Sequence, residues 1–192
     1  MFLLAKPSDE QIRNIIAAQR SAPFSYPEVG ATGGALPAGY KIDHNRVRLG
    51  AGQQTFDRAV AALRRWDMFN TGWMCLCWPG APIERGTTVV VLAALPGLWS
   101  LNACRVVYTI DQDDVATRRY GFAYGTLPAH EALGEERFQV EWDRADDSVW
   151  YDILAFSRPK SLMAKLGYPV ARLMQRRFGR DSKRAMVRAV AN

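Results

Sequence analysis

One stretch, residues 121–138, reads GFAYGTLPAHEALGEERF and constrains the fold more than any other. It joins two runs in which apolar and polar residues alternate. The first run, Arg118 to Thr126, places aromatics at Tyr120, Phe122 and Tyr124; the second, Glu136 to Trp142, places Phe138, Val140 and Trp142 at the same spacing. Alternation on both sides of a loop that turns at Leu127-Pro128 predicts an antiparallel strand pair. The loop is long for a hairpin. It and its flanks carry His130, Glu131, Glu135, Glu136 and Arg137. Ionisable groups beside two rigid strands are where binding and catalysis tend to sit.

The side-chain period of a strand is two, so the register decides which residues share a face. If the even-numbered residues of both strands face the same way, Tyr120, Phe122 and Tyr124 stand with Phe138, Val140 and Trp142. Arg119, Glu135, Arg137, Gln139 and Glu141 then occupy the other face. This pairing segregates aromatic from charged side chains and is the one expected here.

Upstream, Ser8 to Arg20 reads as a capped helix with Ile12, Ile15 and Ile16 in a stripe. Ala22 to Gly39 is a loop rich in Pro and Gly. Tyr40 to Leu49 is a strand candidate, and Thr55 is expected to cap a helix over Phe56 to Met68. Six strand candidates follow: Trp73–Trp78, Thr87–Leu95, Trp99–Ile110, Arg118–Thr126, Glu136–Trp142 and Ser148–Ser157. Their short connections allow only an antiparallel meander, since parallel links need crossovers of a dozen or more residues. After Arg158-Pro159 the chain is predicted helical to its end. Leu162, Met163, Leu166, Val170, Leu173, Met174 and Phe178 are expected on one side, with a bend near Gly167 and Pro169. A meander with one bare apolar face and a terminal helix able to cover it make an α+β helix-grip fold. A curved antiparallel sheet of six to seven strands wraps a long C-terminal helix. Residues 1–39 read as an extension packed on a domain over 40–192.

The 48% apolar content is that of a globular chain large enough to bury a core. The three cysteines, Cys75, Cys77 and Cys104, make no disulfide framework and point to free thiols in a reducing compartment, hence the cytoplasm. Two histidines, His44 and His130, do not supply a metal site. The net charge of +6 is concentrated: Lys160 to Asn192 carries nine basic residues against Asp181, so the remainder is slightly acidic.

The 121–138 stretch, with Ala155-Phe156-Ser157-Arg158-Pro159, Gln175-Arg176-Arg177-Phe178 and Phe69-Asn70-Thr71-Gly72-Trp73, resembles the DUF1990 (UPF0548) family. The likeness runs from about Tyr40 to Ala189. It implies a START-like, Bet v 1-like fold and adds no substrate. One departure is the loop sequence Ala129-His130-Glu131-Ala132, where the family more often has Gly-His-Pro-Glu.

Two functions are compatible with these residues. The first is a binding protein that holds a small hydrophobic or lipid-like molecule between sheet and helix. Tyr120, Phe122, Tyr124, Phe138 and Trp142 would line the space, with His130, Glu136 and Arg158 at its polar end. The second is an enzyme of cyclase or hydrolase type using His130 and Glu136 as an acid/base pair. Against both stands a purely structural account, in which Glu136 pairs with an arginine to fix the loop and the aromatics fill the core. There is no phosphate-binding glycine loop, nucleophile elbow or dinucleotide fingerprint, and no cofactor is expected. The basic C-terminal helix suits an anionic membrane surface or is simply a solvated face. Nucleic acid is the weaker partner, because no aromatics interleave with the basic run. The sequence assigns no oligomeric state.

Overall fold

The structure is a computed structural model that describes residues 1–78, 80–160 and 168–191. Strand β1 (Phe2–Leu3) precedes helix α1 (Asp9–Gln19). Strand β2 (Lys41–Ala51) leads into helix α2 (Gln53–Arg64). Then come β3 (Met74–Leu76), β4 (Thr88–Leu95), β5 (Leu98–Asp113), β6 (Thr117–Thr126), β7 (Ala132–Asp143) and β8 (Ser148–Pro159), and finally helix α3 (Tyr168–Ala191). The strands form one antiparallel sheet in the order β2-β8-β7-β6-β5-β4-β3, with β1 added against β5. The meander from β3 to β8 is therefore as expected, and β2 closes on its far edge. The sheet curls around α2 and α3, which is the helix-grip arrangement.

Helix α1 forms where expected, because Ser8 and Gln11 cap each other's backbone N–H. Helix α2 starts earlier than expected. Its N-cap is Gly52, and the Thr55 hydroxyl donates instead to the Ala51 carbonyl at 2.7 Å. Met68, expected at the helix end, lies in a separate 3₁₀ turn over Asp67–Phe69.

The two faces of the sheet are buried by different parts of the chain. On the concave face, Trp66, Phe69, Phe122, Phe138, Tyr151, Phe178 and Met186 belong to one apolar cluster. Phe69 stacks on Phe178 with centroids 5.4 Å apart and meets Phe138 edge-on at 5.8 Å. On the convex face a smaller cluster joins Ile12 of α1 to Val90, Leu92, Leu101, Ala103 and Leu127. Strand β4 is thus covered on both sides, which explains its unbroken Val89-Val90-Val91-Leu92 run.

Helix α3 differs from its expected stripe. Phe178, Ser182, Ala185, Met186 and Val190 are buried, and Tyr151 shares a 2.9 Å hydrogen bond with Ser182. Val170 and Leu173, read as core, are each 62% exposed. With about 3.6 residues per turn, Leu173 falls on the far side of the helix from Phe178, and the inward positions nearer the start of α3 are Arg172, Gln175 and Met174, which packs on the core as expected. The expected helix over Leu162, Met163 and Leu166, and the bend at Gly167, lie outside the described residues.

Candidate functional site

The β6–β7 register pairs Tyr120 with Val140, Phe122 with Phe138 and Tyr124 with Glu136. Even-numbered residues of both strands therefore share the concave face, as the segregation of aromatics from charges predicts. Adding the β5–β6, β7–β8 and β2–β8 registers turns these pairs into rows across the sheet. One row runs Val106, Tyr124, Glu136, Ala155, Asp43; the next runs Phe122, Phe138, Ile153, Asn45; the next Tyr120, Val140, Tyr151, Val47.

The rows distribute the expected ligand-binding residues over three places. Phe122 and Phe138 are in the middle and have no exposed surface. Trp66 packs edge-on against Phe122 at 4.7 Å, and Phe69 covers Phe138. Tyr120 and Trp142 lie at one end, in a surface groove of about 500 Å³ beneath α2 with Phe56, Arg64 and Arg144. There Arg64 lies 4.9 Å over the Tyr120 ring and Arg144 lies 5.2 Å over Trp142. Tyr124 and Glu136 lie at the opposite end.

Arg158 and His130 do not join them. Arg158 sits opposite Leu133 on β7, two residues beyond Phe156 and on the same convex side. Its guanidinium lies 4.5 Å over the Tyr40 ring. The sequence could not reveal this, because facing depends on the β7–β8 register. His130 occupies the turn after Leu127. Its backbone N–H donates to the Leu127 carbonyl at 2.8 Å, and its Nδ1 accepts from the Ala132 N–H at 2.9 Å. Burial first, then the nearby Met1 ammonium, pushes its imidazole down to about 3. A neutral ring whose Nδ1 is already engaged acts as a lock on the turn. Among the described residues no hydrogen bond or ion pair joins His130 to Glu136, so the expected acid/base pair is not assembled.

Glu136 differs from the expected arginine-paired group. Arg119 pairs with Glu141 at 2.6 Å and Arg137 with Asp152 at 3.0 Å, all on the convex face. On the concave face Glu136 accepts a hydrogen bond from the Tyr124 hydroxyl at 2.8 Å. Among the described residues no lysine or arginine pairs with it. Burial pushes its carboxyl up to about 7; the Tyr124 hydrogen bond pulls down and Asp43 adds to the rise. The Tyr124 hydroxyl is held well above its usual value by burial, with Glu136 and Cys104 contributing.

Sequence reasoning missed the residues that face this pair from β2 and α3. Arg172 grips Asp43 with both terminal nitrogens, the second at 2.7 Å, and donates to Gln175 at 2.7 Å. Gln175 in turn donates to Ser157 Oγ at 2.9 Å. The available signal was the polar spacing Arg172, Gln175, Ser182 at helical intervals, which marks an inward stripe that is not wholly apolar. Asp43→Ala removes the carboxylate through which Arg172 ties the start of α3 to β2. We expect a double-mutant cycle of Asp43→Ala with Arg172→Ala to give a coupling of about 1–2 kcal/mol by chemical denaturation. Additive losses would show that this pair does not hold the helix.

Among the described residues, no three His, Cys, Asp or Glu side chains group as metal ligands, and the three cysteines are free thiols. The family model described as "Domain of unknown function (DUF1990)" matches residues 25–185. The chain belongs to this family. Two relatives named UPF0548 protein align along nearly the whole chain. That of Dictyostelium discoideum is 34% identical over 209 residues, covering 100% of this chain and 97% of its own. That of Deinococcus radiodurans is 39% identical over 201 residues, covering 98% of each. The crystal structure of Ara h 8.0201 is a fainter likeness, with 14% identity and a TM-score of 0.46 over 80% of this chain and 99% of that one. The family match begins at Ser25, one residue before Tyr26, which donates to buried Glu135 at 2.7 Å. In this DUF1990 chain the segment that covers the convex face is therefore partly inside the family's span.

Proposed function

We propose that the protein binds a small hydrophobic or lipid-like molecule between the sheet and the start of α3, with the ligand's polar head at Glu136 and Tyr124. The observation that carries this reading is the state of Glu136. It is a half-buried carboxyl on the concave face, poised near neutrality and paired with no cation among the described residues. A lone carboxyl in that position reduces stability, and such groups concentrate where a ligand completes them. Phe69 and Tyr124, stacked at 6.3 Å, close the inner end, so the ligand stops short of Phe122 and Phe138. The Asp43–Arg172 pair forms the wall toward β2.

The test has two arms. Native mass spectrometry of freshly purified protein should show a co-purified small molecule. Titration with a fluorescent long-chain amphiphile should saturate, and Glu136→Ala should weaken it about tenfold, equivalent to about 1.4 kcal/mol. A folded protein that carries nothing, and saturates with no amphiphile whatever its head group, would sink this reading.

A further inference from the structure

We propose that the outward face of α3 is a docking surface for an anionic lipid membrane. Burial of Phe178, Ser182, Ala185, Met186 and Val190 fixes which side of the helix faces the sheet. The other side is therefore presented on a rigid support. It carries a shallow groove of about 410 Å³ formed by Val47 of β2 and Val187 of α3, rimmed by Arg180, Lys183, Arg184 and Arg188. Val187 is 40% exposed, and the exposed Leu173 and Val170 add aliphatic surface on the same outward side about four to five helical turns nearer the start of α3. Among the described residues of α3 the one acid is Asp181, which is shared among Arg177, Arg180 and Arg184 and so offsets one of their three charges.

Charge complementarity selects the partner. The basic residues are gathered on this helix while the chain outside Lys160 to Asn192 is slightly acidic. A molecule so polarised is oriented by a negative surface before it touches it. The exposed aliphatics decide between surfaces of that sign. A nucleic acid backbone rewards cations but gains nothing from Val170, Leu173 or Val187, whereas a lipid interface takes up both. No helix among the described residues is long and apolar enough to cross a membrane, so the contact proposed is one made at the surface. It is independent of the ligand reading, because none of these side chains faces Glu136.

The test is co-sedimentation of the full chain with phosphatidylcholine vesicles, with and without phosphatidylserine. Binding is expected only with phosphatidylserine and should weaken as salt rises. Arg180→Ala with Arg184→Ala should lower the partition constant roughly thirtyfold, since each basic residue near such a surface is worth a factor of about five. Leu173→Asn with Val187→Asn should lower it about tenfold while lowering the melting temperature by only a few degrees, because Leu173 is 62% and Val187 40% exposed. Three results would each overturn the proposal. They are no sedimentation with phosphatidylserine at low salt, binding by the Leu173/Val187 variant equal to the parent's, and tighter binding to duplex DNA than to vesicles.

Discussion

Glu135→Ala is expected to lower stability by about 3–5 kcal/mol, which for a chain of this size is a fall of roughly 6–20 °C in melting temperature. Glu135 is on the convex face and almost completely buried. It accepts from the Tyr26 hydroxyl at 2.7 Å, the Gly30 N–H at 2.7 Å, the Thr32 N–H at 2.9 Å and the Thr32 hydroxyl. One side chain thus fastens the 26–32 loop across the sheet. The arrangement needs Gly125: a Cβ there would lie 2.1 Å from the Tyr26 hydroxyl oxygen, so a side chain would expel the ring. Removing the carboxyl leaves these donors without an acceptor in a dry place, the costly form of a lost hydrogen bond. Glu135→Gln should rescue little, because its amide would direct donors at donors. A melting temperature within about 2 °C of the parent's in Glu135→Ala would show that the loop is held by packing alone.

The neighbouring residue is expected to respond in the opposite sense. The folded value of Glu136, about 7, lies above the 4.5 of an ordinary glutamate. Below pH 4.5 the group is protonated folded or unfolded and costs nothing. As pH rises to about 7 the unfolded chain loses this proton more readily, so stability falls, and above that the loss is constant at about 3 kcal/mol. Glu136→Gln keeps an acceptor for Tyr124 and removes the titration. It should match the parent near pH 4.5 and melt roughly 6–12 °C higher at pH 8. The difference between variant and parent across this range is the diagnostic, since other groups titrate equally in both. A parent that does not lose ground to Glu136→Gln between these pH values would mean that Glu136 is not confined as described. A ligand that ionises or hydrogen-bonds Glu136 should shrink the difference, which links this measurement to the binding proposal.

These adjacent glutamates show where the sequence was legible. Alternation in Tyr120–Tyr124 and Phe138–Trp142 was enough to place the two on opposite faces and to choose the register. The meander was readable because short turns leave no other connection. What sits over each face was not readable, because it depends on segments far away in sequence. Alternation puts Glu135 on the charged face with Arg119, Arg137, Gln139 and Glu141, but does not show the burial that Tyr26, Gly30 and Thr32 give it there. Arg158, expected at the ligand site from its place at the end of the last strand, is turned to the convex face by its pairing with β7. For Phe122 and Phe138 the sequence leaves cavity lining and filled core both open, and packing by Trp66 and Phe69 makes them core. Hydrophobic pattern gives a residue's side but not whether the space beyond it is filled.

The pairing of β2 with β8 bears on how the chain reaches this fold. Lys41 lies opposite Ser157 and Ala51 opposite Ser148, so the first long strand is matched with the last. During synthesis β2 must wait until nearly all of the sheet has emerged before its partner β8 is available. Pairings between such distant segments raise contact order and slow folding, leaving unpaired edges exposed meanwhile. A chain halted before Ser148 would hold two bare strand edges, those of β2 and β7, each able to pair with another copy. Aggregation during expression should therefore be governed by the completion of β8 more than by any single core residue.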